Sequence, residues 1–233
     1  DVIGIICRNS NFLTCFLTGS IIMGAIVHPL NHNLSADNMA ELYDRSRPKM
    51  IICDREILSE VRRAMMKINL EPLMYVIGEN ADELLAGDYD VDKFIHPKFS
   101  KPANEKLLAI LCSSGTTGTQ KGVCVAHATI LRNNLRFPRP PARPFTFGTV
   151  YWSSGFVLQI LTTFTVNEYR IWSSDDFNVD KLIEIVEKQK ITSIYLTPPS
   201  LAEVLQSEKF ISCNHESLTT VFVIGSIFSE SLR

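Results

Sequence analysis

The sequence lacks paired cysteines of the kind that hold a metal or build a disulfide framework. Its six cysteines are scattered, none forms a C-x-x-C pair, and no cysteine–histidine cluster has zinc spacing. Cys7, Cys53 and Cys112 end apolar runs, where a thiol acts as a small buried hydrophobic group. This pattern argues against a secreted disulfide scaffold and predicts an intracellular protein in a reducing compartment.

An excess of charge of either sign is also lacking, since the formal net charge of the 233 residues is -2. Hydrophobic residues make up 45% and charged residues 21% of the chain, which is ordinary for a globular protein. No global field therefore favours a nucleic acid or an anionic membrane, and we expect no nucleic-acid partner. A chain of this length can bury a large core in one or two domains.

No signal peptide is visible, and no apolar run is long enough to predict a membrane span. The most apolar stretch, Phe12 to Val27, has about 16 residues, contains hydroxyls and two glycines, and falls short of the roughly 20 residues that a span needs. We therefore predict a buried helix followed by a strand at this position, and no transmembrane segment.

Two nucleotide-binding signatures are absent as well. The chain has no G-x-G-x-x-G, and the Walker A pattern fails because Gln120 replaces its second glycine and Gly122 follows the lysine. A segment with similar residue types, glycine, serine or threonine, and lysine, is nevertheless present at 113–122. It has three glycines, five hydroxyl side chains and one lysine within ten residues. The apolar run 107–112 leads directly into this segment, which predicts a buried strand followed by a loop.

This segment has the composition of a loop that wraps phosphate oxygens. Glycine lets the main chain approach an anion closely and adopt positive φ. Consecutive N–H groups form an anion-binding concavity, and Lys121 adds a mobile positive charge. The alternative interpretation is a surface turn rich in serine, threonine and glycine. The strand before the segment and the lysine after it favour the phosphate loop.

Apolar strands alternate with helical patterns along most of the chain. Strands are predicted at 2–7, 25–28, 50–53, 73–77, 107–112, 123–125, 191–196 and 220–224. Helices are predicted at about 11–23, 56–67, 127–135 and 198–206, and after the capping residues Ser35 and Asn178, with Ser10 capping the first. The alternation implies an α/β fold of mostly parallel sheets flanked by helices on both faces. The proline-rich stretch 136–147 is predicted to be irregular.

Polar stretches divide the chain. Residues 1–77 are predicted to form a first α/β unit and 78–106 a polar connection. Residues 107–233 are predicted to form a second unit, which contains the phosphate loop. The chain begins in a strand without methionine and stops in what reads as a helix start. We therefore expect an internal fragment of a longer protein.

The spacing S-S-G-T-T-G-x-x-K-G at 113–122 resembles the phosphate loop of the adenylate-forming superfamily, which includes acyl-CoA synthetases, 4-coumarate–CoA ligases and beetle luciferases. The likeness covers nearly the whole chain, with further matches at 19–54, 121–127, 192–198 and 221–229. On these residues the chain resembles a partial AMP-binding N-terminal domain of an insect 4-coumarate–CoA ligase-like or luciferase-like acyl-CoA synthetase.

The resemblance implies an enzyme that joins a carboxylic acid to ATP and then passes the acyl group to coenzyme A. By the resemblance, the β- and γ-phosphates of ATP are held by Ser113, Ser114, Gly115, Thr116, Thr117, Gly118 and Lys121. It also places Mg²⁺ at Thr117 and the adenine turn at Gly225 and Ser226. The implied acyl pocket lies in the predicted second unit, 107–233, and contains Trp152, Ser154 and Gly155. Insect relatives of this kind are commonly peroxisomal, so the peroxisome or the cytoplasm is the expected location.

Three positions depart from the family pattern. Gln120 stands where proline or a small apolar residue is usual, and Ser154 stands at the gate of the acyl pocket, where histidine or an aromatic residue is common. At the adenine turn only Ile224-Gly225 replaces a glycine pair, and an isoleucine at positive φ would be strained. One alternative is therefore a degenerate relative that binds nucleotide or acyl-adenylate without catalysis. A plain α/β interaction domain with a glycine-rich loop is a third hypothesis.

The resemblance also implies parts that these 233 residues do not contain. These are a Tyr-Gly-x-Thr-Glu motif that binds magnesium, an Asp that holds the ribose, a hinge, and a small C-terminal domain with the adenylation lysine. We therefore expect the fragment alone to be inactive and its missing C-terminal domain to be its partner. No residue is assigned a catalytic role, and His127 is interpreted as packing the phosphate loop.

Overall fold

The structure is a computed structural model, and it describes residues 1–87, 90–95, 97–98, 101–113, 120–134, 143–157 and 171–226. The chain divides into two compact units. The first consists of residues 1–135 with 151–153, and the second of residues 136–150 with 154–233. Each unit has its own β-sheet.

The first unit is built on a six-stranded sheet with the order β4-β3-β1-β2-β5-β6. Its strands are β1 (Val2–Ile6), β2 (Ile26–Pro29), β3 (Met50–Cys53), β4 (Leu73–Val76), β5 (Leu107–Cys112) and β6 (Gly122–Ala126). Its helices are α1 (Asn11–Ile22), α2 (Ala36–Ser46), α3 (Leu58–Lys67), α4 (Glu83–Ala86) and α5 (His127–Asn134), with 3₁₀ turns at Arg55–Ile57 and Val91–Lys93. Strands β1 to β5 pair in parallel, and β6 runs antiparallel to β5.

Side-chain caps start the first two helices of this unit. The Ser10 hydroxyl accepts a hydrogen bond of 3.0 Å from the N–H of Leu13, and the Ser35 hydroxyl accepts one of 3.4 Å from the N–H of Asn38. Each bond satisfies one of the backbone donors that a helix leaves unpaired at its start. Both predicted caps are therefore confirmed.

The core of the first unit lies between the sheet and helices α2 and α3. It contains Ile6, Met39, Tyr43, Ile51, Cys53, Val61, Ala64 and Met65, all of them buried. The strands of this parallel sheet are the continuous apolar runs of the sequence, as expected when both faces of a sheet are covered. The prediction of mostly parallel sheets flanked by helices is confirmed.

The second unit is built on a four-stranded parallel sheet with the order β10-β9-β7-β8. Its strands are β7 (Pro144–Thr146), β8 (Ile171–Trp172), β9 (Ser193–Leu196) and β10 (Thr220–Val223). The helices along this part of the chain are α6 (Ser153–Phe156), α7 (Val179–Gln189), α8 (Pro198–Gln206) and α9 (Glu208–Ser212). Its core contains Phe145, Leu182, Val186, Ile191, Ile194, Leu196 and Leu201.

The starts of α7 and α8 also follow the sequence. The side-chain oxygen of Asn178 accepts a hydrogen bond of 3.1 Å from the N–H of Lys181, which confirms this predicted cap. Helix α8 begins at Pro198, where a missing N–H and a fixed φ favour the first helical position. The predicted helix over 198–206 is confirmed.

Strand β7 corrects the prediction that the proline-rich stretch 136–147 is irregular. Residues 136–142 lie outside the described part of the chain, but Pro144–Thr146 forms a strand that pairs in parallel with both β8 and β9. Proline is tolerated at the first residue of a strand, where it interrupts the ladder least. Phe145 is 1% exposed, so its burial holds this short strand in the sheet.

The two units divide elsewhere than at the predicted boundary of residue 107. Residues 107–135 belong to the first unit, because β5 pairs with β2 and β6 pairs with β5. The polar stretch 78–106 therefore connects β4 to β5 within the first unit and does not link the two units. Its described residues contain only short helical turns.

Helix α1 coincides with the most apolar stretch of the sequence. It has 12 residues and buries Leu13 and Leu17. In the described ranges, no helix has the combination of length and apolar character that crossing a membrane requires.

Candidate functional site

The predicted phosphate loop lies between two paired strands of the first unit. Strand β5 ends at Cys112, β6 begins at Gly122, and the N–H of Ser113 donates a hydrogen bond of 2.9 Å to the carbonyl of Lys121. Residues 114–119 lie outside the described part of the chain, and with them the predicted ligands Ser114, Gly115, Thr116, Thr117 and Gly118. One backbone hydrogen bond thus joins the two ends of the loop.

The loop leaves and re-enters the sheet at its carboxyl edge. Strand β5 is parallel to β2 and ends at this edge, and the antiparallel strand β6 begins there. Ser113 is half-buried and Lys121 is exposed, so the lysine ammonium can reach a ligand in solvent. Open α/β sheets bind their ligands at the carboxyl ends of their strands, which makes this edge the candidate site of the first unit.

A polar cluster that was not predicted from the sequence lies at the same edge. Asp54 directly follows β3, and its Oδ2 accepts a hydrogen bond of 2.7 Å from the N–H of Arg8, which follows β1. His32, which follows β2, is close enough for its charge to act on the Asp54 carboxyl. The position of these residues in the sequence could have predicted the cluster, because each of them comes within three residues of the end of an apolar strand.

Burial raises the pKa of the Asp54 carboxyl, and the hydrogen bond from Arg8 and the charge of His32 oppose that rise. Burial also raises the pKa of the Cys7 thiol, to which the nearby Asp54 charge contributes. Cys7 is therefore a packed thiol rather than a reactive thiolate.

His127 lies at the start of α5, immediately after β6, and thus at the opposite end of this strand from the loop. Its Nε2 is buried and has no hydrogen-bond partner among the described groups. Burial, and then the charge of Lys106, lower the pKa of the imidazole. His127 therefore packs the base of the β5–β6 pair and not the loop itself.

The predicted adenine turn follows β10 in the second unit. The N–H of Ile224 donates a hydrogen bond of 2.9 Å to the carbonyl of Leu196, which continues the pairing of β10 with β9. The positive φ of this turn, 95°, falls on Gly225 and not on Ile224. The expected strain at Ile224 is therefore absent, because glycine occupies the one position that needs a left-handed backbone. Gly225 and Ser226 are both exposed.

The predicted acyl-pocket residues fall on both sides of the division between the units. Trp152 belongs to the first unit, is 40% exposed, and has its ring 5.5 Å from that of Tyr151. Ser154 and Gly155 belong to the second unit, where they form part of α6. A side chain at Gly155 would overlap the carbonyl oxygen of Thr149, so this helix approaches the 148–150 turn as only glycine allows.

A metal site made of acidic, histidine and cysteine side chains is not found in the described parts of the chain, which contain no group of three or more such residues. The predicted magnesium ligand, Thr117, lies outside these parts. All six cysteines are free thiols.

Known proteins share this architecture. The chain matches the family described as AMP-binding enzyme over residues 1–233. It is 21% identical to the probable 4-coumarate–CoA ligase 3 of Dictyostelium discoideum over 95% of this chain and 44% of that protein. The luciferase-like enzyme of the nonluminescent mealworm Zophobas morio superposes with a TM-score of 0.89 at 22% identity, covering all of this chain and 55% of the other. ATP-bound MatB of Rhodopseudomonas palustris has a TM-score of 0.79 at 19% identity, over 96% of this chain and 44% of the other.

At these identities, the solved structures show a shared fold and nothing finer. The chain spans about half the length of each of these three proteins. The family match covers every residue of the chain, and two paired strands flank the segment in which the sequence resemblance places the phosphate loop. This chain belongs to the family of AMP-binding enzymes.

Proposed function

We propose that the chain is the nucleotide-binding portion of an ATP-dependent acid–thiol ligase. In the first step, a carboxylate oxygen of the acid attacks the α-phosphorus of ATP, and the bond to the β-phosphate breaks to release pyrophosphate. In the second step, the thiol of coenzyme A takes the acyl group from the adenylate and AMP leaves. The observation that carries this proposal is the hydrogen bond between Ser113 and Lys121, at the carboxyl edge of the sheet, which joins the two ends of the glycine- and hydroxyl-rich segment between β5 and β6.

The loop residues provide binding and electrostatic stabilisation in this account. Backbone N–H groups and hydroxyls within 113–119 bind the β- and γ-phosphates, and Lys121 approaches them from the end of the loop. The same donors stabilise the charge that develops on the leaving pyrophosphate, an effect worth about 3 kcal/mol per donor in comparable sites. A hydroxyl oxygen suits Mg²⁺, which prefers oxygen ligands, so Thr117 is the proposed magnesium contact.

The remaining site residues are proposed on the basis of resemblance together with their local geometry. Gly225 and Ser226 follow β10 in an exposed turn and would contact the adenine. Trp152, Ser154 and Gly155 would border the acyl chain, and Ser154 would leave a more open and polar entrance than an aromatic gate. The free thiols support an intracellular location, with cytoplasm or peroxisome as the proposed compartments.

Pyrophosphate release tests the proposal. A protein of the relatives' length that contains this chain should release pyrophosphate when ATP is combined with a suitable medium-chain fatty acid, long-chain fatty acid or cinnamic acid. The 233 residues alone should be slower by at least about 10²-fold, because positioning of the acid against the α-phosphate would require further residues. Equal turnover by both proteins would contradict the proposal. ATP binding without turnover by either would favour the non-catalytic relative.

A further inference from the structure

The hydrogen bond between the Ser113 N–H and the Lys121 carbonyl joins the two strands at the point where the predicted phosphate loop begins and ends. Below it, Cys112 pairs with Gly122 and Ile110 pairs with Cys124 in the antiparallel register. The distance between the two ends of the loop is therefore set by how closely β6 approaches β5 at this point. We call this bond and the pair beneath it the loop neck.

Gly122 makes a close approach at the loop neck. A Cβ atom built on Gly122 would lie 2.8 Å from Cγ2 of Ile110, well inside the roughly 3.5–4.0 Å at which carbon atoms pack. Cγ2 is attached directly to the Cβ of Ile110, and a β-branched side chain is stiff about χ1. Ile110 therefore cannot move this methyl group aside without leaving its rotamer.

Strand β6 is the part that would move. It is the last strand in the order of the sheet, paired with β5, and no further strand among the described residues pairs with its other side. A side chain at 122 would push the start of β6 outward and carry the Lys121 carbonyl away from the Ser113 N–H. The lysine that follows the loop would then approach the phosphates from a changed position.

We propose that Gly122 is a positioning residue, whose contact with Ile110 fixes the width of the loop neck and thereby the placement of Lys121 toward the β- and γ-phosphates of ATP. This inference rests on the proposed function and deepens it. Because AMP lacks both of these phosphates, the effect should be confined to ATP.

Four variants of the chain separate this role from general stability. Gly122→Ala introduces the clash, and Ile110→Leu removes the β-branched methyl group while keeping the side-chain volume. The double variant should relieve the clash. Gly19→Ala is the matched control, since a Cβ atom at Gly19, in α1 of the same unit, meets nothing within 4 Å.

The first measurement needs no nucleotide. Hydrogen exchange of the Ser113 amide reports its bond to Lys121, and we expect Gly122→Ala to accelerate it while Gly19→Ala leaves it unchanged. Ile110→Leu should restore slow exchange in the double variant. Unchanged exchange in Gly122→Ala, or no restoration in the double variant, would overturn the proposed contact.

The second measurement is calorimetric binding of Mg-ATP and of AMP. Gly122→Ala should weaken Mg-ATP binding by about ten-fold, the effect of losing one charged hydrogen bond from a misplaced Lys121, and should leave AMP binding unchanged. The double variant should recover Mg-ATP affinity. An equal loss of affinity for Mg-ATP and for AMP would mean that Gly122 only maintains the fold, and would overturn the inference. If the unmodified chain binds no Mg-ATP, the proposed function fails, and Ser113 exchange still decides whether Gly122 sets the neck.

Discussion

His28 shows how one buried polar residue couples the fold of the first unit to pH. It is 1% exposed, its Nδ1 lies 2.8 Å from the Ser46 hydroxyl, and its ring meets that of Tyr43 edge-on at 5.2 Å. Its Nε2 is buried without a hydrogen-bond partner among the described groups. Burial lowers the pKa of His28 from 6.5 to about 4. The neutral imidazole is therefore the form that fits this core.

This shift predicts that acidification destabilises the first unit. Because the pKa of His28 is lower in the folded chain than in the unfolded chain, the unfolded state takes up the proton first. Neutral His28 therefore contributes about 3 kcal/mol to the free energy of unfolding. This contribution is fully present above pH 6.5 and is lost as the pH falls toward about 4. Urea unfolding between about pH 5 and pH 7, above the usual range of carboxyl titration, measures the slope.

The variant His28→Asn tests the assignment, because its amide can replace Nδ1 at Ser46 and does not titrate. Stability of this variant should depend less on pH than that of the unmodified chain. The exposed His215 supplies the control, and His215→Asn should keep the original slope. An unchanged slope in His28→Asn would show that other groups carry the pH dependence.

Gly118 and His127 provide a second test at single residues. Gly118→Val should weaken Mg-ATP binding more than His127→Ala does, because a β-branched side chain blocks close backbone approach and resists positive φ. His127 lies at the far end of β6 from the loop, so its loss should affect mainly packing. Calorimetry with Mg-ATP compares the two, and equal losses would mean that the loop is not the phosphate site.

At the scale of helices and strands, the fold follows closely from the alternation of apolar runs and capped helical patterns. Ser10, Ser35 and Asn178 all cap the helices that were predicted for them. Strand β7 was not predicted because its three residues lie within the proline-rich stretch 136–147 and give no periodic signal. Pairing with β8 and β9, which the local sequence does not show, stabilises it.

The site was less predictable than the fold, because contacts between distant residues have no local signature. The hydrogen bond of Asp54 with Arg8 joins residues 46 positions apart. The approach of Gly122 to Ile110 depends on the register of β5 and β6. Composition predicted a phosphate-binding loop, and the pairing of β5 with β6 adds how the two ends of that segment are held.

The cap of α7 gives a prediction at this scale. Asn178→Ala should destabilise the second unit by about 1 kcal/mol, because the N–H of Lys181 loses its acceptor. Asn178→Ser should cost much less, since a serine hydroxyl can accept the same bond. Denaturant unfolding measures the loss of stability in each variant. Equal destabilisation of the two variants would show that the loss does not come from the missing cap hydrogen bond.

At the scale of the whole molecule, each of the two α/β units carries residues that the resemblance assigns to nucleotide binding. The first contains the ends of the predicted phosphate loop, and the second contains the turn at Gly225. The family match spans both units. We therefore expect the chain to bind ATP through the carboxyl edge of the first sheet.

Mg-ATP binding to two lysine variants tests this claim most directly. Lys121 and Lys106 flank the same strand pair, Lys121 at the loop end and Lys106 at the opposite end, where its carbonyl accepts the N–H of His127. Replacing either by alanine removes one positive charge, so the comparison cancels the effect of net charge. In a calorimetric titration, Lys121→Ala should bind Mg-ATP about ten-fold more weakly, the usual effect of losing one charged hydrogen bond, and Lys106→Ala should bind as the unmodified chain does. Equal affinity in the two variants would contradict the account.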